Sequence, residues 1–223
     1  YDSWHSELIV LWPERDFGNR ATAEFVLRHL SPADGLRLSQ FKPEPDLVGK
    51  SVADIARLRG TDDADTVMAL IRESEAAHST AQVISRSMDE RDIAKFIAWP
   101  QANICSDGSL DGLHPRGYGT FPRVLRMYVR EKKMLTLEQA VHKMTGLAAQ
   151  HMGLRDRGQI RVGAAADLVL FDPRTVADRA TYEKPHELSV GIARVWVNGI
   201  AVLADGKATG AHPGQVLRRQ GAR

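Results

Sequence analysis

The chain has 223 residues, 43% of them hydrophobic and 26% charged, the balance of a soluble globular protein rather than a disordered or membrane-embedded one. Its 30 Lys and Arg stand against 28 Asp and Glu, and a formal charge of +2 spread over scattered basic residues does not mark a nucleic-acid-binding face. The single cysteine, Cys105, excludes an internal disulfide and any CxxC motif and suits a reducing, cytoplasmic setting, and no apolar run approaches the roughly 20 residues of a membrane span.

Along the chain, Leu8–Trp12 reads as a short strand and Ala21–Leu30 as a helix. Ser51 and Asp54 form a capping pair ahead of a helix whose apolar face, Val52, Ile55, Ala56 and Leu58, ends at Gly60, and a further helix runs from Ala64 to Glu75. Residues 81–107 spell strand, helix, strand: Ala81–Ser85, then a capping box at Ser87–Glu90 with Ile93, Phe96 and Ile97 on one face, then Ala102–Cys105. About 27 residues is the length of a βαβ unit, which predicts parallel strands and a right-handed crossover. The second strand ends in Ser106-Asp107-Gly108, and the carboxyl end of a parallel strand is where catalytic groups gather.

Ser109–Gly119 is too rich in Gly and Pro for regular structure and reads as a functional loop. Helices are expected over Phe121–Lys132, from a Thr136–Gln139 cap with Leu137, Ala140, Val141 and Met144 inward, and over Leu147–Met152 before Gly153. From Gly158 the period drops to two, with strands at 167–172, 194–199 and 200–207 and an Asn198-Gly199 hairpin turn.

Asp107 either acts as general base and acid toward water and a leaving amine or simply makes an Asp-Gly turn. Arg116 offers a planar fork of donors for a substrate carboxylate, or pairs with Asp111 on the surface. His114, held extended by Pro115, is a substrate-binding candidate, as is Tyr118 in the same loop. The eight histidines contain no HxH, HxxH or HExxH arrangement, so the chain offers no metal cage of its own, and Cys105, without a histidine base, reads as a packed, inert thiol.

Ile104-Cys105-Ser106-Asp107-Gly108 and His114–Leu125 together resemble the last barrel strand and following loop of N-acyl-D-amino-acid deacylases, the D-aminoacylase family. Gly158–Asp172 and Val195-Trp196-Val197-Asn198-Gly199 resemble the carboxyl-terminal part of amidohydrolase-superfamily enzymes in general. The resemblance implies an α/β fold: residues 1–157 would be the last strands and helices of a (β/α)8 barrel with an inserted lobe around 30–80, and 158–223 part of a small β-sandwich domain. It further implies a zinc-dependent hydrolase that releases a D-amino acid and a carboxylate from an N-acyl-D-amino acid, with Asp107 as general base and acid and Arg116 holding the substrate carboxylate. Ser6 would match a substrate-contacting serine. The zinc would be ligated mainly by residues outside this chain, on barrel strands supplied by a preceding segment or a second chain, so that these 223 residues alone would be inactive; assembly into an oligomer is also compatible. Two rivals stand beside this reading. One is a neighbouring amidohydrolase acting on cyclic amides, of dihydroorotase or hydantoinase type; the other is a non-catalytic binding or assembly subunit.

Overall fold

The structure, a computed structural model, describes residues 3–11 and 17–218. The chain is of the α/β class and divides into two compact units, Tyr1–Ile93 and Ala94–Arg223.

In the first unit, β1 (Ser3–Glu7), β2 (Leu36–Gln40) and β3 (Gln82–Arg86) form an antiparallel sheet in the order β1-β3-β2. Three helices pack with it: α1 (Arg20–His29), α2 (Val52–Arg59) and α3 (Asp63–Ala76). Leu36, Leu38, Ile55, Val67, Leu70 and Val83 lie at the heart of the shared core. The helix ends follow local chemistry. Ser51 Oγ accepts from the Asp54 amide while the Asp54 carboxylate accepts from the Ser51 amide, and Gly60 closes α2 in the left-handed conformation at φ 64°.

The expected strand at Leu8–Trp12 lies earlier. Glu7 faces Gln82, the first residue of β3, so pairing stops there; Leu8 donates to the Ala81 carbonyl and Leu8–Leu11 coils into a 3-10 turn, while Trp12 falls outside the described residues. The βαβ expectation is also corrected. β3 is antiparallel to both neighbours, α4 (Glu90–Ala98) follows it, and residues 102–109 form no strand. A strand exists only where a neighbour completes its ladder. Along the expected one, the Ile104 amide finds a carbonyl on a helix, that of Lys143. The cap of α4 is Asp89 rather than Ser87, its carboxylate accepting from the Arg91 amide at 2.7 Å.

The second unit continues with α5 (Arg116–Arg123), a π-helix (Val124–Glu131), α6 (Leu137–Met144) and α7 (Gly146–Met152). The last four residues of the stretch read as irregular, Arg116–Gly119, are therefore helical. Gly117 serves close approach: a Cβ there would stand 2.7 Å from the Ser109 carbonyl oxygen. Pro122 lies inside α5 and deprives the Tyr118 carbonyl of its helical donor, and the Ser189 hydroxyl takes that place at 2.9 Å. The register then widens into the π-helix, a form that is rare outside local disturbances of this kind.

An antiparallel sheet follows in the order β4 (Leu168–Phe171), β5 (Ile192–Val197), β6 (Ile200–Ala204) and β7 (Lys207–Ala208). Asn198 and Gly199, at φ 49° and 80°, make the expected turn. Asp205 and Gly206, at φ 50° and 76°, make a second one that divides the strand expected over 200–207. Arg157 ties the two signature segments together: it pairs with Asp167 and donates to Asn198 Oδ1 at 2.7 Å, while Asp167 accepts from the Asn198 amide at 2.8 Å. Among the described residues no helix is long and apolar enough to cross a membrane.

Candidate functional site

The segment 102–109 approaches the start of α5 so closely that a Cβ on Gly108 would lie 2.4 Å from Gly117 Cα. Two glycines allow this contact, and it brings the residue before one, Asp107, against the residue before the other, Arg116. Asp107 occupies the left-handed region at φ 46°, which Asp tolerates better than most side chains. Its carboxylate meets Arg116 Nη2 at 2.8 Å. The arginine side chain is 18% exposed and the aspartate 80%, so the fork is anchored while the carboxylate faces outward. Arg116 thus pairs with Asp107 rather than Asp111, and it retains further N–H donors for a second anion.

His114 is 3% exposed and its Nδ1 accepts from the Arg116 amide at 3.1 Å, which assigns the proton of the neutral ring to Nε2. Its ring meets Tyr182 edge-on at 5.5 Å. Tyr118 donates to the Leu110 carbonyl at 3.3 Å and its ring lies 5.2 Å from His186, whose Nε2 sits 3.0 Å from the Gly112 carbonyl oxygen. Residues 182–189 therefore strap the loop that carries Arg116, and nothing in the spacing of Tyr182, His186 and Ser189 announces it, because these contacts span about 70 residues of chain.

Four of the five candidates, Asp107, Arg116, His114 and Tyr118, fall in one loop and helix start of the second unit. Ser6 stands on β1 in the first unit with its backbone opposite Val83, and its side chain lies outside the described atoms. Cys105 is exposed rather than packed. A residue not foreseen as part of the arrangement is Lys143. It is 4% exposed on α6, donates to the Trp99 and Ala102 carbonyls, and burial pushes its pKa down. Its position three residues after the buried Ala140 is the sequence signal: a cation on the core-facing stripe of a helix.

A cavity of about 700 Å3 also lies within this unit, walled by Phe121, Leu125, Met144, Val169 and Val195. It is lined by Tyr118 and Asp167 but not by Asp107, Arg116 or His114, so it lies apart from the Asp107–Arg116 pair. Among the described residues no three His, Cys, Asp or Glu side chains are grouped to hold a metal ion.

Residues 49–203 match the amidohydrolase family. The chain belongs to that family. It is 44% identical over 183 residues to a D-aminoacylase of Alcaligenes xylosoxydans xylosoxydans, a match that covers 81% of this chain and 36% of the relative. Two solved structures superpose on 98% of the chain: a D-aminoacylase, at a TM-score of 0.78 and 39% identity, and the N-acyl-D-glutamate deacylase of Bordetella bronchiseptica complexed with zinc and a phosphonate that mimics the tetrahedral intermediate, at 0.76 and 38%. In both cases the match covers 41% of the solved chain. The chain thus spans about a third of the length of the curated relatives it matches.

Proposed function

We propose that the chain is part of a zinc-dependent amidohydrolase that hydrolyses the amide of N-acyl-D-amino acids to a D-amino acid and a carboxylate. The observation that carries this reading is the Asp107–Arg116 pair: a proton-accepting carboxylate facing outward, held by an arginine with donors to spare. The similarity to D-aminoacylases supports the choice of substrate class. Residues 1–157 are read as the closing part of the barrel, with a lobe at 30–80, and 158–223 as part of a small β-sandwich; the long match to intact deacylase structures supports this assignment. The single cysteine supports a cytoplasmic location.

The described residues do not by themselves fit a metal cage, so the zinc of this reading, which would activate water and polarise the amide, is held by residues outside them. The chain's own contribution is proton transfer and substrate orientation. Asp107 accepts a proton from the attacking water and returns it to the departing nitrogen, so that the amine leaves neutral. Arg116 fixes the rotamer of that carboxylate and presents its remaining N–H groups to the substrate carboxylate, which places the scissile amide beside Asp107. Tyr118 and His114 steady the loop, His114 through the Arg116 amide. Substrate and the remaining polypeptide are the partners; neither nucleic acid nor membrane is required.

The test is Asp107→Asn in the polypeptide that carries this chain, assayed for D-amino acid release. Asn is isosteric and tolerates the left-handed backbone, so the fold is expected to persist while kcat falls roughly 100- to 10,000-fold. Unchanged turnover by a folded variant refutes the reading.

A further inference from the structure

We propose that His186 and Ser189 are positioning residues that set Arg116 toward the substrate carboxylate, an inference that rests on the deacylase reading. Their side chains grip the backbone on either side of that arginine. His186 Nε2 lies 3.0 Å from the carbonyl oxygen of Gly112, four residues before Arg116, and the Ser189 hydroxyl donates at 2.9 Å to the carbonyl of Tyr118, two residues after it. A carbonyl oxygen only accepts, so His186 carries its proton on Nε2. Pro122 has no N–H, so the Ser189 hydroxyl fills a place that α5 itself leaves open. Between the two grips, the Tyr182 ring stands edge-on to His114, whose Nδ1 accepts from the Arg116 amide.

The segment 182–189 has its own footing. Val190 and Ala177 exchange amide–carbonyl bonds of 2.9 and 3.1 Å, and the next residue, Asp178, accepts from Arg126 Nε at 2.7 Å, on the π-helix that continues α5. At the other end the Lys184 amide donates to Thr181 Oγ1 at 3.0 Å and closes a turn. His186 and Ser189 are three residues apart, at most about 10 Å of chain, so their bonds bound the separation of Gly112 and Tyr118 with Arg116 between them. Asp107 lies outside that span, beyond the Gly108–Gly117 contact. Loosening the two grips therefore moves the arginine and its loop first. An arginine fork recognises a carboxylate in a narrow geometry, so the loss falls on recognition of the substrate's own carboxylate.

The experiment measures kcat/KM on an N-acetyl-D-amino acid and on the same compound with a carboxamide in place of its carboxylate, in the polypeptide that carries this chain. The ratio of the two values does not depend on how much of the enzyme is folded, so a variant that is only less stable leaves it unchanged. The unaltered protein is expected to favour the acid roughly 10- to 100-fold. S189A removes the hydroxyl donor, and H186F removes the Nε2 donor while keeping a ring against Tyr118. Each is expected to cut the preference at least about threefold, and the pair about tenfold. S189T keeps the hydroxyl and is expected to restore it. With R116M already in place, S189A is expected to change the ratio less than about twofold, because the group it positions is gone. If S189A does not fold, H186F alone must lower the preference. Equal losses on both compounds, or a preference that survives both substitutions in a protein that deacylates the acid normally, overturns the proposal alone. If the unaltered protein deacylates neither compound, the deacylase reading falls and takes the proposal with it.

Discussion

Gly108→Ala tests whether the Asp107–Arg116 pair depends on the close backbone contact beneath it. The new Cβ would lie 2.4 Å from Gly117 Cα and 2.9 Å from Gly117 N. Carbon atoms pack at roughly 3.5–4.0 Å, so the two segments must part by about 1 Å, and both obstacles are backbone, which cannot rotate away. Parting by that amount stretches the 2.8 Å ion pair to about 3.8 Å, beyond hydrogen-bonding reach. Overpacking of this kind costs about 1–3 kcal/mol, which for a chain of this size lowers Tm by about 2–12 °C. A 1 Å misplacement at a reacting group costs on the order of 100-fold in kcat/KM. Thermal melts and deacylation kinetics read the two effects, with Gly214→Ala as the control, since a Cβ there meets nothing within 4 Å and Gly214 has no positive φ. A G108A variant that melts within about 1 °C of the parent and keeps its kcat/KM would refute the reasoning.

Two further predictions concern the frame. Burial alone would raise the Asp167 carboxyl, but the Asn198 amide and Arg157 outweigh it and hold it below the usual carboxylate value. A group depressed in the folded state stabilises fully above its unfolded pKa, near 3.9, and loses that contribution as pH falls through the folded value. Asp167→Asn should therefore melt earlier than the parent near pH 7 and approach it below about pH 4; a constant difference across that range contradicts the assignment. In the first unit, Ser51→Ala removes the acceptor for the Asp54 amide and should cost about 1 kcal/mol in denaturant unfolding, without affecting the second unit's candidate site. An unfolding curve that overlays the parent's would show that the cap contributes nothing.

Local chemistry was legible wherever the chain satisfies itself within a few residues. The caps at Ser51 and Thr136, the stops at Gly60 and Gly153, and the Asn198-Gly199 turn all follow from side chains and φ preferences acting over one to five positions. Asp107 stands out in the sequence as the end of a parallel strand that residues 102–109 do not form, and Arg116 as a fork of donors in a Gly/Pro loop; only their closeness in sequence was legible. Their pairing was not, because Asp111 lies closer in sequence to Arg116 and only the Gly108–Gly117 contact selects Asp107.

What tertiary structure alone decided is everything that needs a partner distant in the chain. Alternating or apolar residues at 102–105 are compatible with a strand, but a strand requires a neighbouring ladder, and here the Ile104 amide turns to α6. Arg116–Gly119 has the composition of a loop, yet Gly117 permits a helix start to pack against the Ser109 carbonyl. Pro122 in α5 is tolerable because Ser189, 71 positions from Tyr118, supplies the missing donor. Lys143 on a buried face becomes intelligible once the Trp99 and Ala102 carbonyls are seen above it. Short-range preferences act through few dihedrals and are written in the sequence; contacts across tens of residues depend on which surfaces the folded chain brings together.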